Sequence, residues 1–239
     1  MDNKNGYLKS SRKYASNIGQ KIQADPFRYA LYLFLAAVTL FMLYNIIYYV
    51  YYKVSGKSIP VYGNGKQIVG QPKDAYKGKI VNKSVEIPNP TEGLAYTYSF
   101  WFYIQDWSYR TGKYKNIFVK GDGNNPTPGI WLEKDTNTLH TRIKTNDTSV
   151  EYETCDVKNI PLQKWNHVAY VLNNRAVDIY VNGKLERSCT LNGIPVLNSN
   201  KLIIAKNGGF YGKLGNLIYY TRALEPSDIS QIYKAGPYS

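Results

Sequence analysis

The sequence is short of the residues from which reactive and metal-binding sites are usually built. Its 239 residues include two cysteines, two histidines and only 17 Asp and Glu, against 30 Lys and Arg. Zinc-finger spacing, an RNA-binding signature and a helix-turn-helix pattern are all missing. The basic residues are scattered rather than gathered into one helix or run, so the sequence argues against nucleic acid as a partner. The net charge of +13 then reads as a solvated basic surface, with anionic lipid or an acidic glycan as the remaining candidate partners.

Charge is missing altogether from one stretch. Tyr29 to Tyr52, YALYLFLAAVTLFMLYNIIYYVYY, is 24 residues without an ionisable acid or base of the Asp, Glu, Lys or Arg type. At ~1.5 Å per residue it makes about 36 Å of helix, enough to cross a ~30 Å hydrocarbon core with some tilt. Asp25 suits the N-cap and Pro26 the first helical position. Tyr44, Tyr48, Tyr49, Tyr51 and Tyr52 crowd the far end, where amphipathic rings prefer the headgroup level. Asn45, the one strongly polar residue, marks either a helix-packing face or nothing. A cleaved signal peptide fits less well, because 28 residues precede the stretch and no small-residue cleavage site follows it.

The flanking charges suggest an orientation. Lys9, Arg12, Lys13, Lys21 and Arg28 precede the span, and Lys53, Lys57 and Lys66 follow it. That bias predicts a cytoplasmic N terminus and a translocated C-terminal domain, the type II arrangement. The sequons at Asn82 and Asn146 are expected glycosylation sites on that domain. The layout is then a basic tail at 1–28, a transmembrane helix at 29–52, a Gly- and Lys-rich stalk at 53–79 running into an early edge strand, and a folded domain at 80–239.

Helical periodicity is scarce in that domain. Short runs such as AYTYSFWFYI, NIFVK, GIWLEK, WNHVAYVLN, VDIYV and KLGNLIYY are separated by Gly, Asn, Asp and Pro turns, which argues a β-sandwich or jelly roll. Only SDISQIYKAG, started by Pro226 and Ser227, has helical character. In YTYSFWFYI, Tyr98, Phe100, Phe102 and Ile104 share one face, and Thr97, Ser99, Trp101 and Tyr103 the other. The first lines the core; the second is either covered by the stalk or ligand-ready. DIYVNGKLERSC reads as a hairpin turning at Asn182-Gly183, and a regular two-residue turn sets Asp178 opposite Arg187.

The blocks YTYSFWFYI, IFVKGDG, GIWLE, WNHVAYVLNNRAVDIYVNGKL and GGFYGKLGNLIYYTRALEPSDISQIYKAGP, taken in order, resemble the concanavalin A-like lectin/glucanase superfamily, specifically its laminin G-like and pentraxin-like jelly rolls. The resemblance spans residues 80 to 237. It implies an all-β fold, an antiparallel two-sheet jelly-roll sandwich, preceded here by a single transmembrane helix, with ligands held by rim loops or the concave sheet. The Lys-, Asn-, Ile- and Tyr-rich style with an N-terminal anchor also resembles membrane proteins of large DNA viruses. That likeness implies a virion membrane and neighbouring capsid or membrane proteins as partners. Within the likeness Trp165 and His167 read as framework, Gly208, Gly209 and Gly212 as tight turns around Phe210, and Arg222-Ala223-Leu224 as the closing segment.

The superfamily includes glycoside hydrolases, whose laminarinase type places carboxylates as Glu-x-Asp-x-(x)-Glu on one strand face. Glu133 and Asp135 start such a set, but Asn137 follows in a turn; Glu151 and Glu153 share a face, but Cys155 takes the third place. The expectation is that the chain is not an enzyme. Domains of this likeness often bind calcium through loop oxygens, and Asp122, Asn124 and Asn125 are the donors on offer, equally readable as turn formers. No other cofactor is implied. Trp107, Tyr109 and Tyr114 form an aromatic and basic loop suited to stacking on a glycan ring. Cys155 and Cys189 are expected to pair if the domain is translocated and to stay thiols in a reducing compartment. The function expected is non-enzymatic recognition of a glycan or protein partner at a membrane or virion surface. The alternatives are a structural membrane or virion component without a soluble ligand, and a diverged glycoside hydrolase.

Overall fold

The computed structural model of the chain describes residues 26–54, 65–91, 93–121 and 125–238. The chain divides after Val54 into two units. The first is a single helix, α1 (Pro26–Val54), with no acidic residue in its first turn. Its Pro26–Tyr48 part is long and apolar enough to cross a membrane. Its polar side chains bond back to the helix: Asn45 Nδ2 donates to the Phe41 carbonyl at 2.7 Å, and Thr39 Oγ1 to the Ala36 carbonyl at 2.8 Å. Asp25, the expected N-cap, and the side chains of Tyr49, Tyr51 and Tyr52 lie outside the described residues.

The second unit is an antiparallel sandwich. Its strands are β1 (Lys66–Val69), β2 (Lys73–Asp74), β3 (Lys83–Val85), β4 (Ala95–Ile104), β5 (Lys115–Lys120), β6 (Gly129–Leu132), β7 (Leu139–Arg142), β8 (Trp165–Asn173), β9 (Ala176–Val181), β10 (Lys184–Thr190), β11 (Leu202–Ile204) and β12 (Gly212–Tyr220), and α2 (Pro226–Ala235) follows them. One sheet runs β1-β12-β4-β8-β9-β10, with β2 also on β12; the other runs β3-β11-β5-β6-β7. β1 and β2 thus lie within the stretch read as stalk, paired to β12.

The core fills the space between the sheets by the period-two rule. Tyr98, Phe100, Phe102 and Ile104 of β4 meet Val168 and Tyr170 of β8, Ile179 of β9, and Phe118, Ile130, Leu132 and Leu139 of the facing sheet. The other face of β4 is also covered: Thr97 and Ser99 are fully buried. The cover is not the expected stalk but the C-terminal segment. Ile229 and Ile232 of α2 pack with Ala169, Val171, Tyr180, Tyr220 and Leu224, and Tyr233 stacks on Trp101 at 5.7 Å. The Arg222-Ala223-Leu224 segment is tied to β4 from both sides, since Thr97 Oγ1 donates to the Arg222 carbonyl at 3.0 Å and accepts from the Leu224 amide at 2.9 Å.

The β9–β10 hairpin turns at Asn182-Gly183 with both residues at positive φ, as a type I′ turn requires. Its register departs from the expectation. A bulge between Leu185 and Arg187 sets Arg187 opposite Ile179 and Ser188 opposite Asp178, so Arg187 and Asp178 do not face each other. The shift also sets Cys189 opposite Val177, a core residue, and Cys189 is disulfide-bonded to Cys155 with 6.0 Å between their Cα atoms.

Candidate functional site

Of the aromatic loop residues expected to form one platform, each goes to a different neighbourhood. Trp107 packs against the core, with the Lys115 ammonium 4.7 Å from its ring centre. Tyr109 joins Tyr76 and Tyr211 on the rim, its ring 6.1 Å from each, and its hydroxyl donates to the Gly208 carbonyl at 3.1 Å. Gly209 beside it has φ +49° and leaves no room for a side chain against the Ala75 carbonyl, which explains a glycine there. Tyr114 stacks on His140, 5.1 Å between ring centres. Among the described residues no ring contact joins Trp107, Tyr109 and Tyr114 to one another.

Tyr114 leads to the most chemically organised surface of the domain, the outer face of the five-stranded sheet. Alternation puts Ile130 and Leu132 of β6 and Leu139 of β7 in the core, and turns Trp131, His140 and Arg142 outward. The Arg142 guanidinium lies 4.7 Å from the Tyr114 ring, 5.1 Å from the Trp131 ring and 4.5 Å from the Tyr152 ring. Arg142 Nε donates to His140 Nε2 at 2.8 Å. Because a guanidinium cannot accept, Nε2 carries the lone pair, and the imidazole proton sits on Nδ1, which donates to Asp156 Oδ2 at 2.9 Å. Asp156 Oδ1 accepts from the Thr141 amide at 3.0 Å, fixing the carboxylate. Gly129 completes the arrangement, since a Cβ there would overlap the Trp131 ring.

The flanks of this face carry further charge. The Lys134 ammonium lies 4.9 Å from the Tyr114 ring centre. Burial works to raise the Glu133 carboxyl, but hydrogen bonds from the Asp135 amide and from Thr136 hold it below its ordinary value.

Of the carboxylates that imitate a hydrolase set, Glu133 and Glu153 are occupied elsewhere. Glu133 caps the β6–β7 turn, in which Asp135 and Asn137 lie. Glu153 accepts from Thr145 Oγ1 at 2.9 Å, the Asn192 amide at 2.7 Å and the Gly193 amide at 2.9 Å, so it pins two loops together. Asp122 and Asn124 lie outside the described residues; Asn125 is exposed, and its carbonyl accepts from Asn198 Nδ2 at 3.1 Å. Among the described residues no group of three His, Cys, Asp or Glu is placed to hold a metal ion.

His167 is framework in position. It is buried between β8 and α2, with its Nε2 2.9 Å from Ser99 Oγ and its ring beside Trp101, and burial pushes its pKa down to about 3. Trp165 packs edge-on against Tyr238 and near Tyr103, each 5.7 Å away. The sequon asparagines Asn82 and Asn146 are exposed and use Oδ1 to accept from the Asn207 and Ile194 amides.

Two packed antiparallel sheets with aromatic and basic groups on an outer face define a lectin-like jelly roll. The family model Laminin_G_3, of the concanavalin A-like lectin/glucanases superfamily, matches residues 78–230, and the chain belongs to that superfamily. None of the curated proteins compared with the chain matches it. Among solved structures it is similar to the binding domain of botulinum neurotoxin DC in complex with rat synaptotagmin II, with TM-score 0.50 and 20% identity over 59% of this chain and 36% of that one. It is similar to the same binding domain in complex with SialylT, with TM-score 0.50 and 20% identity over 59% and 35%. A mutant of HCR/D gives TM-score 0.51 and 15% identity over 60% and 38%. At such identity the likeness is one of fold, and the chain spans little more than a third of those chains.

Proposed function

We propose that the protein is a single-pass, type II membrane protein whose laminin G-like domain is a non-enzymatic recognition module, binding a glycan or protein partner at a membrane or virion surface. The observation that carries this reading is the outer face around Arg142, where Trp131 and Arg142 on adjacent strands meet Tyr114 and Tyr152 from the segments beside them, gathering three aromatic rings around one cation. The binding domains of similar fold are bound to synaptotagmin II and to SialylT, which supports a binding role for this fold. The engagement of Glu133 and Glu153 in turn and loop structure supports recognition over hydrolysis. Helix α1 serves as the anchor in this reading, and Asn82 and Asn146 accept glycans on Nδ2 without losing their Oδ1 bonds.

The full-length chain, purified in detergent micelles and applied to an array of neutral and acidic oligosaccharides, is expected to retain at least one of them. Retention of none, with the disulfide intact, favours the purely structural component.

A further inference from the structure

The geometry points to the outer face of the five-stranded sheet as a site for the carboxylate of an acidic saccharide, with Arg142 as the carboxylate-binding residue and His140 and Asp156 as the residues that position it. This rests on the recognition reading above and specifies its ligand.

Arg142 is not neutralised as Arg222 and Lys201 are. Arg222 has a carboxylate of its own, Asp228 Oδ2 at 3.0 Å, and Lys201 has Glu86 at 3.0 Å. Among the described residues Arg142 has no ion-pair partner, and its one hydrogen bond, to His140, uses Nε alone. Four N–H donors on Nη1 and Nη2 remain, set in the planar fork that matches two carboxylate oxygens. The rings of Tyr114, Trp131 and Tyr152 surround the guanidinium. They strip water from it and hold its plane, so much of the ordering cost of a bidentate bond is already met in the free protein.

The surrounding charges select the kind of anion. Arg142 and Lys134 bring two positive charges, and Asp156 and Glu133 bring two negative ones, while His140 is engaged at both of its ring nitrogens. A face balanced in this way lacks the excess positive charge that a phosphate dianion or a nucleic-acid strand calls for, yet one fixed guanidinium still pairs with a single carboxylate. The rest of the ligand must then be uncharged and hydroxylated. Glu133 can accept from hydroxyls, and Tyr114 and Tyr152, both half-buried, add aromatic surface beside the cation for the C–H groups of a pyranose. A carboxylate-bearing sugar meets all of these requirements at once. An acidic peptide supplies the carboxylate without the hydroxylated ring, and is an outcome of the test instead.

The test is calorimetric titration of the full-length chain in detergent micelles with sialyllactose and with a glucuronate disaccharide, each beside its methyl ester. At least one acid is expected to bind, and its ester to bind about tenfold or more weakly. Arg142→Lys, which keeps the charge but not the fork, and Arg142→Gln are each expected to lose about tenfold or more. His140→Ala is expected to weaken binding several-fold. His140→Gln, whose amide oxygen can accept from Arg142 Nε, is expected to recover part of it. An intact disulfide and unchanged thermal unfolding show that each variant is folded. Equal binding of acid and ester, or full binding by Arg142→Gln, overturns the carboxylate site while leaving the recognition reading in place. Binding of an acidic peptide but of neither saccharide overturns it in favour of a protein partner. Binding of no saccharide here or on the array removes the glycan reading itself.

Discussion

Cys189 stands directly opposite Val177 across the β9–β10 hairpin, one place out of the register that Asn182-Gly183 alone would set. Opposed residues of an antiparallel pair share a face, so the bulge between Leu185 and Arg187 is what turns Cys189 toward the core and within reach of Cys155. Deleting Glu186 alone removes the extra residue and leaves Cys189 opposite Val177, so the disulfide is expected to persist. Deleting Glu186 and Arg187 together sets Cys189 opposite Asp178, on the other face. Alkylation followed by mass measurement should then find no free thiol in the first variant and two in the second. Loss of the cross-link, which spans 34 positions, is expected to cost about 3–4 kcal/mol in denaturant titrations.

His167 makes the fold sensitive to acid. Its ordinary pKa of 6.5 is lowered to about 3 by burial, so below about pH 6.5 the unfolded chain takes up a proton that the folded chain refuses. Stability therefore falls as the pH drops from about 6.5 toward 3, by about 1.4 kcal/mol per unit across most of that window. Between pH 7 and pH 4.5 this one imidazole is expected to remove about 2–3 kcal/mol. Urea titrations of His167→Gln at the two pH values should show an acid loss smaller than the parent's by that amount. Equal losses in the two proteins would mean that the ring is not held neutral.

Tyr96 is a buried tyrosine whose hydroxyl finds no hydrogen-bond partner among the described residues, and burial pushes its phenol well up from the ordinary value. A buried hydroxyl without a partner costs more than it returns. Tyr96→Phe keeps the ring contacts with Tyr98 and Tyr170 and removes the oxygen. It is expected to raise stability by about 1 kcal/mol, read as a higher denaturation midpoint. A lower midpoint contradicts the reading.

The fold was legible because its signals are local and periodic. The alternation in AYTYSFWFYI, the Asn182-Gly183 turn and the uncharged run from Tyr29 each carry their own structural instruction. What covers Trp101 was not legible, because α2 meets it across more than a hundred residues of chain and nothing near Trp101 announces Tyr233. The bulge in β10 was missed for a different reason: KLERSCT holds no glycine or proline to mark it, and its position follows from packing. At the site, Tyr114 was readable as one aromatic of a basic loop. Its partners Trp131, His140, Arg142 and Tyr152 come from β6, β7 and the loop beyond, and only the strand order joins them. One signal was present in the chain: HTR at residues 140–142 puts a histidine and an arginine two apart on one strand face.

The most direct test of the central claim follows one saccharide through contact with the full-length protein in detergent micelles. The saccharide giving the strongest retention is titrated to saturation, incubated overnight and recovered for mass measurement. A saturable curve with the saccharide recovered at its original mass is the predicted result. Shortened products, or a signal that never saturates, would contradict a domain that recognises without cutting.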